Sequence, residues 1–225
     1  MMNKNTERGV RVNKKDVLLQ AEEYVRSLLK EESSGHDWWH IHRVRGLAKK
    51  IAVHEGADLF ICEITALLHD LADEKLFGNE EEGLLSIDHW LNKYGVHEDE
   101  RKHILSIIKT MSFKGGTNRP IETLEGKVVQ DADRLDAIGA IGIGRTFAYA
   151  GAKGQLMYDP SIPVRDEMTK EEYRNGKSTA INHFYEKLLK LKELMNTDYG
   201  KKIAQERHRF LGEFLERFLD EWDMK

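Results

Sequence analysis

The sequence has little that would brace the chain covalently or interrupt it locally. One cysteine, Cys62, stands in 225 residues, which excludes an internal disulfide and fits a reducing compartment. Only three prolines occur, Pro120, Pro160 and Pro163, so long stretches carry no fixed break in a helical hydrogen-bond ladder. Strand-like alternation is almost absent. No apolar run is long enough to span a bilayer, and the opening MMNKNTERGV has neither the apolar core nor the cleavage pattern of an export signal. Lysine and arginine total 35 against 39 acids, a net charge of -4, which gives no general electrostatic reason to bind DNA, RNA or an anionic membrane. The expectation is a soluble cytoplasmic protein with neither a nucleic-acid nor a membrane partner.

What is present is helical. A hydrophobic content of 40% over this length can bury one real core, and a polar segment over 1–14 followed by one domain over 15–225 is expected. Apolar residues recurring at three and four positions predict helices over about 15–31, 37–55, 58–73, 80–94, 98–111, 121–150, 178–195 and 198–222. The last two form an amphipathic helical hairpin turning near Asn196 to Gly200. The fold class is all-α, a single-domain helical bundle ending in that hairpin. Two irregular stretches, SFKGGTNRP over 112–120 and GAKGQLMYDPSIPVRDEM over 151–168, are where a cover or substrate loop belongs.

Three stretches carry ionisable groups on otherwise apolar segments. In LLHDLADEK, residues 67–75, His69 and Asp73 are neighbours at helical spacing, and Asp70 lies roughly 100° round from His69, so both can reach one ion. A histidine favoured by a helix C-terminus, with Asp70 opening a turn, is the competing account. In HDWWHIHRVRGLAKKIA, Asp37 is a plausible N-cap. His40 shares the inward face of Val44, Leu47, Ala48 and Ile51, while His42 sides with Arg45 and Lys49 towards water. In VVQDADRLDAIGAIGIGR, a buried carboxylate would need a cation or several donors. Asp131 and Asp133 point nearly opposite ways, so one ion is not expected to hold both. Asp133 is the preferred ligand, Asp131 the alternative, and Asp131 and Asp136 are expected to pair with Arg134 or nearby bases.

His40 in HxxRV, His69 and Asp70 in LLHD, and Asp133 in ADRLDA resemble, in order, the H…HD…D pattern of the HD-domain metal-dependent phosphohydrolases. The longer stretches GHDWWHIHRV, LLHDLADEK, SFKGG, VVQDADRLDAIGAIGIGRTF and NHFYEKLLKLK resemble more narrowly the YpgQ-type manganese-dependent nucleotide pyrophosphohydrolases, over roughly residues 15–215. The resemblance implies an HD-type helical bundle in which His40, His69, Asp70 and Asp133 hold one divalent metal. It also implies a small-molecule nucleotide as substrate and leaves a homodimer open.

The donor types agree with that implication. Imidazole and carboxylate suit manganese, iron, cobalt, nickel or zinc, with magnesium also admissible, and four ligands leave room for water and a phosphate oxygen. Such an ion acidifies water and offsets charge at phosphorus. Asp73 and Glu74 are the candidates to orient or deprotonate that water. In related HD hydrolases an acid at the Asp73 position has that kind of role. Arg43, Lys75 and Lys114 are candidate phosphate-binding cations, and His183 with Lys187 forms an i, i+4 pair that can line the cleft or simply face solvent. The expected reaction is hydrolysis of a nucleoside triphosphate, or its deoxy form, to monophosphate and pyrophosphate. The alternatives are a 5'-nucleotidase or phosphodiesterase of the same superfamily, or a non-catalytic nucleotide-binding module.

Overall fold

A computed structural model describes residues 13–29, 37–72, 79–111, 120–165, 176 and 178–225. Among them are nine α-helices: α1 Lys14–Leu28, α2 Trp38–Glu55, α3 Leu59–Leu68, α4 Glu80–Lys93, α5 Glu98–Met111, α6 Leu124–Asp136, α7 Gly139–Ala152, α8 Ala180–Glu186 and α9 Asp198–Trp222. Two 3-10 segments, His69–Ala72 and Leu188–Leu194, extend α3 and follow α8. No strand occurs among the described residues.

Helix α3 is the axis of the bundle. Every residue from Phe60 to Leu68 is buried, because α1, α2, α5 and α6 all pack on it. A helix buried on all sides belongs in the middle of a core. Its one acid, Glu63, accepts from Arg45 Nε at 3.0 Å, and Arg45 also reaches Glu22 at 2.8 Å. Burial pushes the Cys62 thiol up to about 12, which makes it a small core residue and no nucleophile.

Helix starts follow their caps. Asp37 accepts from the His40 amide at 2.8 Å, Asp58 from Ile61, Asn79 from Glu82 and Thr197 from Gly200. The stretch expected as one helix over 121–150 is two. The chain leaves α6 at Ala137 and Ile138 and re-enters at Gly139, whose φ of 75° suits glycine and strains other residues. Arg207 packs directly over that glycine. Asp133, Ala137 and Ala140 therefore do not share one continuous face. The end of α3 also differs from expectation, since its last turn tightens to 3-10 at His69.

The hairpin is present, but its first arm, expected as one helix over 178–195, is the short α8 followed after Lys187 by the Leu188–Leu194 3-10 segment, and α9 packs on α6, α7 and that segment. Phe147, Phe184, Phe214, Phe218, Tyr158 and Trp222 stack between α7, α8 and α9. The second irregular stretch starts inside α7, and its later part is fastened to α8. Asn182 Nδ2 donates to the carbonyls of Ile162 and Pro163 at 2.9 and 3.3 Å, while Arg165 pairs with Glu186 through Nε and Nη2 at 2.8 Å each. Among the described residues no helix is long and apolar enough to cross a membrane.

Candidate metal centre

Three elements bring the ionisable groups together. His40 lies in the first turn of α2, His69 and Asp70 sit where α3 tightens, and Asp133 lies in the last turn and a half of α6. Packing of α2 against both α3 and α6 closes the gap between them. Donor atoms of His40, His69 and Asp133 all lie within 4.8 Å of one another. Asp133 Oδ1 is 3.5 Å from His40 Nε2 and 3.9 Å from His69 Nε2. Asp70 flanks the group, with Oδ2 3.5 Å from His40 Nε2 and Oδ1 3.2 Å from His69 Nε2.

These spacings fit a cation. Ligands that each stand about 2.1 Å from an ion are roughly 3 to 4 Å from one another, depending on the angle. His69 gives a second indication. Its Nδ1 donates to the Ala66 carbonyl at 2.8 Å, and a carbonyl only accepts, so Nδ1 carries a proton and in the neutral ring the Nε2 lone pair faces the centre. That Nε2 is buried and makes no hydrogen bond among the described residues. A buried imidazole nitrogen left in this state is costly unless an ion takes it. The two rings meet edge to face, centroids 5.5 Å apart, as two ligands converging on one point would. Asp133 is partly open, its side chain 37% exposed against 1% for His40, which leaves the site an approach from solvent.

Asp131, the alternative fourth ligand, faces away and is saturated. It accepts from the amides of Asn196 and Thr197 at 2.9 and 2.7 Å, from Asn196 Nδ2 at 2.8 Å and from Thr197 Oγ1 at 2.7 Å. It fastens the start of α9 and does not pair with Arg134, which donates to the Leu194 carbonyl.

Asp136 is the residue whose importance the sequence concealed. Fully buried, it accepts from His40 Nδ1 at 2.8 Å, from Arg43 Nε at 2.7 Å and Nη2 at 3.0 Å, and from Arg145 Nη1 at 2.9 Å. Burial alone would raise its carboxyl, yet these hydrogen bonds and the arginine charge hold it well below the usual carboxylate range. The expected pairing with nearby bases holds here, with His40, Arg43 and Arg145 as the bases. Arg43, read as a phosphate contact, thus has two of its nitrogens on Asp136, with the side chain still 30% exposed.

The remaining candidates divide. Asp73, Glu74, Lys75 and Lys114 lie outside the described residues. His183 and Lys187 are half-buried on and just after α8. Burial first, then the Lys187 charge, takes the His183 imidazole down to about 4, and Glu186 and Arg165 are its other charged neighbours.

The HD domain family model matches residues 38–138, the span that carries His40, His69, Asp70, Asp133 and Asp136. Bacillus subtilis YpgQ, itself described as uncharacterised, is 43% identical over 203 residues, covering 88% of this chain and 91% of that protein. A solved HD-superfamily hydrolase from Bacillus thuringiensis is 46% identical with a TM-score of 0.76, covering 95% of this chain and 100% of that one. The structure of B. subtilis YpgQ in complex with ADP is 40% identical with a TM-score of 0.71, covering 91% and 96%.

Proposed function

The chain belongs to the HD domain family, and from that premise we propose that it is a divalent-metal-dependent phosphohydrolase that cleaves nucleoside or deoxynucleoside triphosphates to monophosphate and pyrophosphate. The observation that carries this reading is the convergence of His40, His69 and Asp133 on one point, with the His69 lone pair already turned to it. Asp70 completes the ligand set. The ADP complex of YpgQ supports a nucleotide as the class of ligand. Two imidazoles and two carboxylates fit manganese, and also iron, cobalt, nickel, zinc or magnesium. When bound, such an ion acidifies water and offsets charge at the phosphorus.

The protein residues do the rest. Asp73, four residues beyond His69, takes the proton from the attacking water, and Glu74 orients that water. Lys75, Lys114 and the open side of Arg43 meet the phosphate oxygens, stabilising the pyrophosphate as it leaves. His183 and Lys187 line the substrate cleft, His183 as a neutral hydrogen-bonding group. Extra phosphates supply binding energy usable in the transition state, so a triphosphate should be a far better substrate than a monophosphate.

The test incubates manganese-loaded protein with a nucleotide panel in water enriched in heavy oxygen, separating pyrophosphate from orthophosphate. Label in the monophosphate and none in the pyrophosphate is expected for attack at the α-phosphorus. Label only in pyrophosphate would move the attack to the β-phosphorus. Orthophosphate released from monophosphates alone would replace the reading with a nucleotidase, and no hydrolysis of any nucleotide would leave a binding module.

A further inference from the structure

The two histidines of the centre are held by different means. His69 is fixed by a main-chain carbonyl, an acceptor that no substitution at Ala66 removes. His40 is fixed by a side chain, Asp136, through Nδ1 at 2.8 Å. An imidazole can ligate through Nε2 only when its proton sits on Nδ1 or is absent, and a carboxylate accepts but cannot donate. The Asp136 bond therefore requires a proton on Nδ1, and in the neutral ring that leaves the His40 Nε2 lone pair towards Asp70 and Asp133, each 3.5 Å away.

Asp136 is itself held from two further helices. Arg43 sits one turn beyond His40 on α2 and takes both carboxylate oxygens, at 2.7 and 3.0 Å, while Arg145 reaches across from α7 at 2.9 Å. Both guanidiniums are donors only and cannot trade roles with the carboxylate. Oδ2 meets His40, Arg43 and Arg145, and Oδ1 meets Arg43. The carboxylate plane is thereby set by α2 and α7 and cannot turn away from the His40 ring without losing an arginine bond.

We infer that Asp136 is a positioning residue that sets the tautomer and orientation of His40 for the metal, and that Arg145, on a helix carrying no candidate ligand, acts on the centre through Asp136. The inference rests on the reading of His40 as a ligand, made above. It assigns to α7 a part in metal affinity that its sequence does not announce.

Two measurements test it. In metal-free wild-type protein, long-range proton–nitrogen spectra of the histidine rings should show His40 protonated at Nδ1 and bare at Nε2. At a pH where the ring is neutral, a proton on Nε2 with Nδ1 bare in the wild type would overturn the inference without any variant being made. The second measurement is calorimetric manganese affinity in Asp136→Asn. Size is kept, but an amide must set its NH2 against at least one donor, Arg43 Nε in one flip, or His40 with both arginines in the other. Manganese affinity should fall by about 10- to 100-fold, the usual loss when the outer partner of a ligating histidine is removed. Arg145→Gln should show a smaller loss with the His40 tautomer retained. Wild-type affinity in Asp136→Asn overturns the assignment, and so does a loss equalled by Arg145→Gln, which would mark general loosening. If the wild type binds no divalent ion, the function proposed above fails instead, while the tautomer spectrum still decides the role of Asp136.

Discussion

Asp131 and Asp133 stand two residues apart on α6 and should fail in opposite ways. Replacing Asp131 by Ala removes the acceptor of two main-chain amides, Asn196 and Thr197, beneath the start of α9. The side-chain donors keep other bonds, Asn196 Nδ2 to Gln130 Oε1 at 3.0 Å, and Thr197 Oγ1 as acceptor from Gly200. Two orphaned amides at about 1–3 kcal/mol each give a loss of about 4 kcal/mol. In a chain of this length that is a fall of about 8–16 °C in melting temperature. Asp133→Ala removes a half-exposed carboxylate at the centre, so metal-free stability should move by less than about 0.5 kcal/mol. Melting of both metal-free variants by circular dichroism, with manganese calorimetry on each, separates the two. Asp131→Ala should melt early and keep any manganese binding at temperatures where it is folded; Asp133→Ala should melt normally and lose it. The opposite pairing, with a stable Asp131→Ala that binds no metal, would refute the assignment of both residues.

Turnover in Asp73→Asn should drop by about two or more powers of ten with metal content unchanged, while Glu74→Gln loses less; a larger loss at Glu74 exchanges the two roles. Gly83 on α4 abuts the turn that carries His69 and Asp70: a Cβ there would stand 2.8 Å from Ala72 Cα and 3.1 Å from the Leu71 carbonyl oxygen. Gly83→Ala should therefore cost about 1–3 kcal/mol of overpacking, partly offset by about 1 kcal/mol of helix propensity, and weaken manganese binding. A more stable Gly83→Ala with unchanged metal affinity would rule out that contact as a constraint. His183 titrates near 4 in the fold and near 6.5 unfolded. Between those values the unfolded chain binds the extra proton, so stability should fall as pH drops through that window. In urea titrations His183→Gln should show a shallower slope there, and an identical slope would remove His183 as its source.

Local rules located most helices, because period and caps are written in neighbouring residues. The expected span 98–111 coincides with α5 and 198–222 with α9. Departures occur where a distant contact decides. The break at Ala137–Ile138 has its local sign in the glycines of DAIGAIG, but what packs on Gly139 is Arg207, on α9. The burial of α3 from Phe60 to Leu68 comes from four helices around it, which no single-segment pattern can count. The convergence of His40, His69 and Asp133 was legible as an ordered motif, with His40 already on the inward face of its helix. Asp131 was readable as turned away from Asp133, though not as the anchor of Asn196 and Thr197, sixty-five residues downstream. Asp136 reads locally as one of a pair of salt-bridging acids, since nothing in its neighbours distinguishes a carboxylate on surface arginines from one that also holds a buried histidine.

The run DADRLD makes sense as three separate directions from one rod. Successive residues on a helix turn by about 100°, so positions 131, 133 and 136 leave α6 at distinct angles. Asp131 points to the start of α9, Asp133 to His40 and His69, and Asp136 to the far nitrogen of His40 with Arg43 and Arg145. One helix thereby fastens the C-terminal hairpin, offers a donor to the centre, and orients a second donor from behind. The helix must end at Asp136 for this to work, because Arg145 reaches that carboxylate only after the chain has turned at Ile138 and Gly139 into α7. Gly139 makes the turn sensitive to substitution, since its φ is positive and a Cβ there would stand 3.0 Å from the Arg207 side chain. Arg145 on the far side of that turn holds Asp136, and Asp136 holds the His40 ring, so the break between α6 and α7 is itself part of what orients the centre.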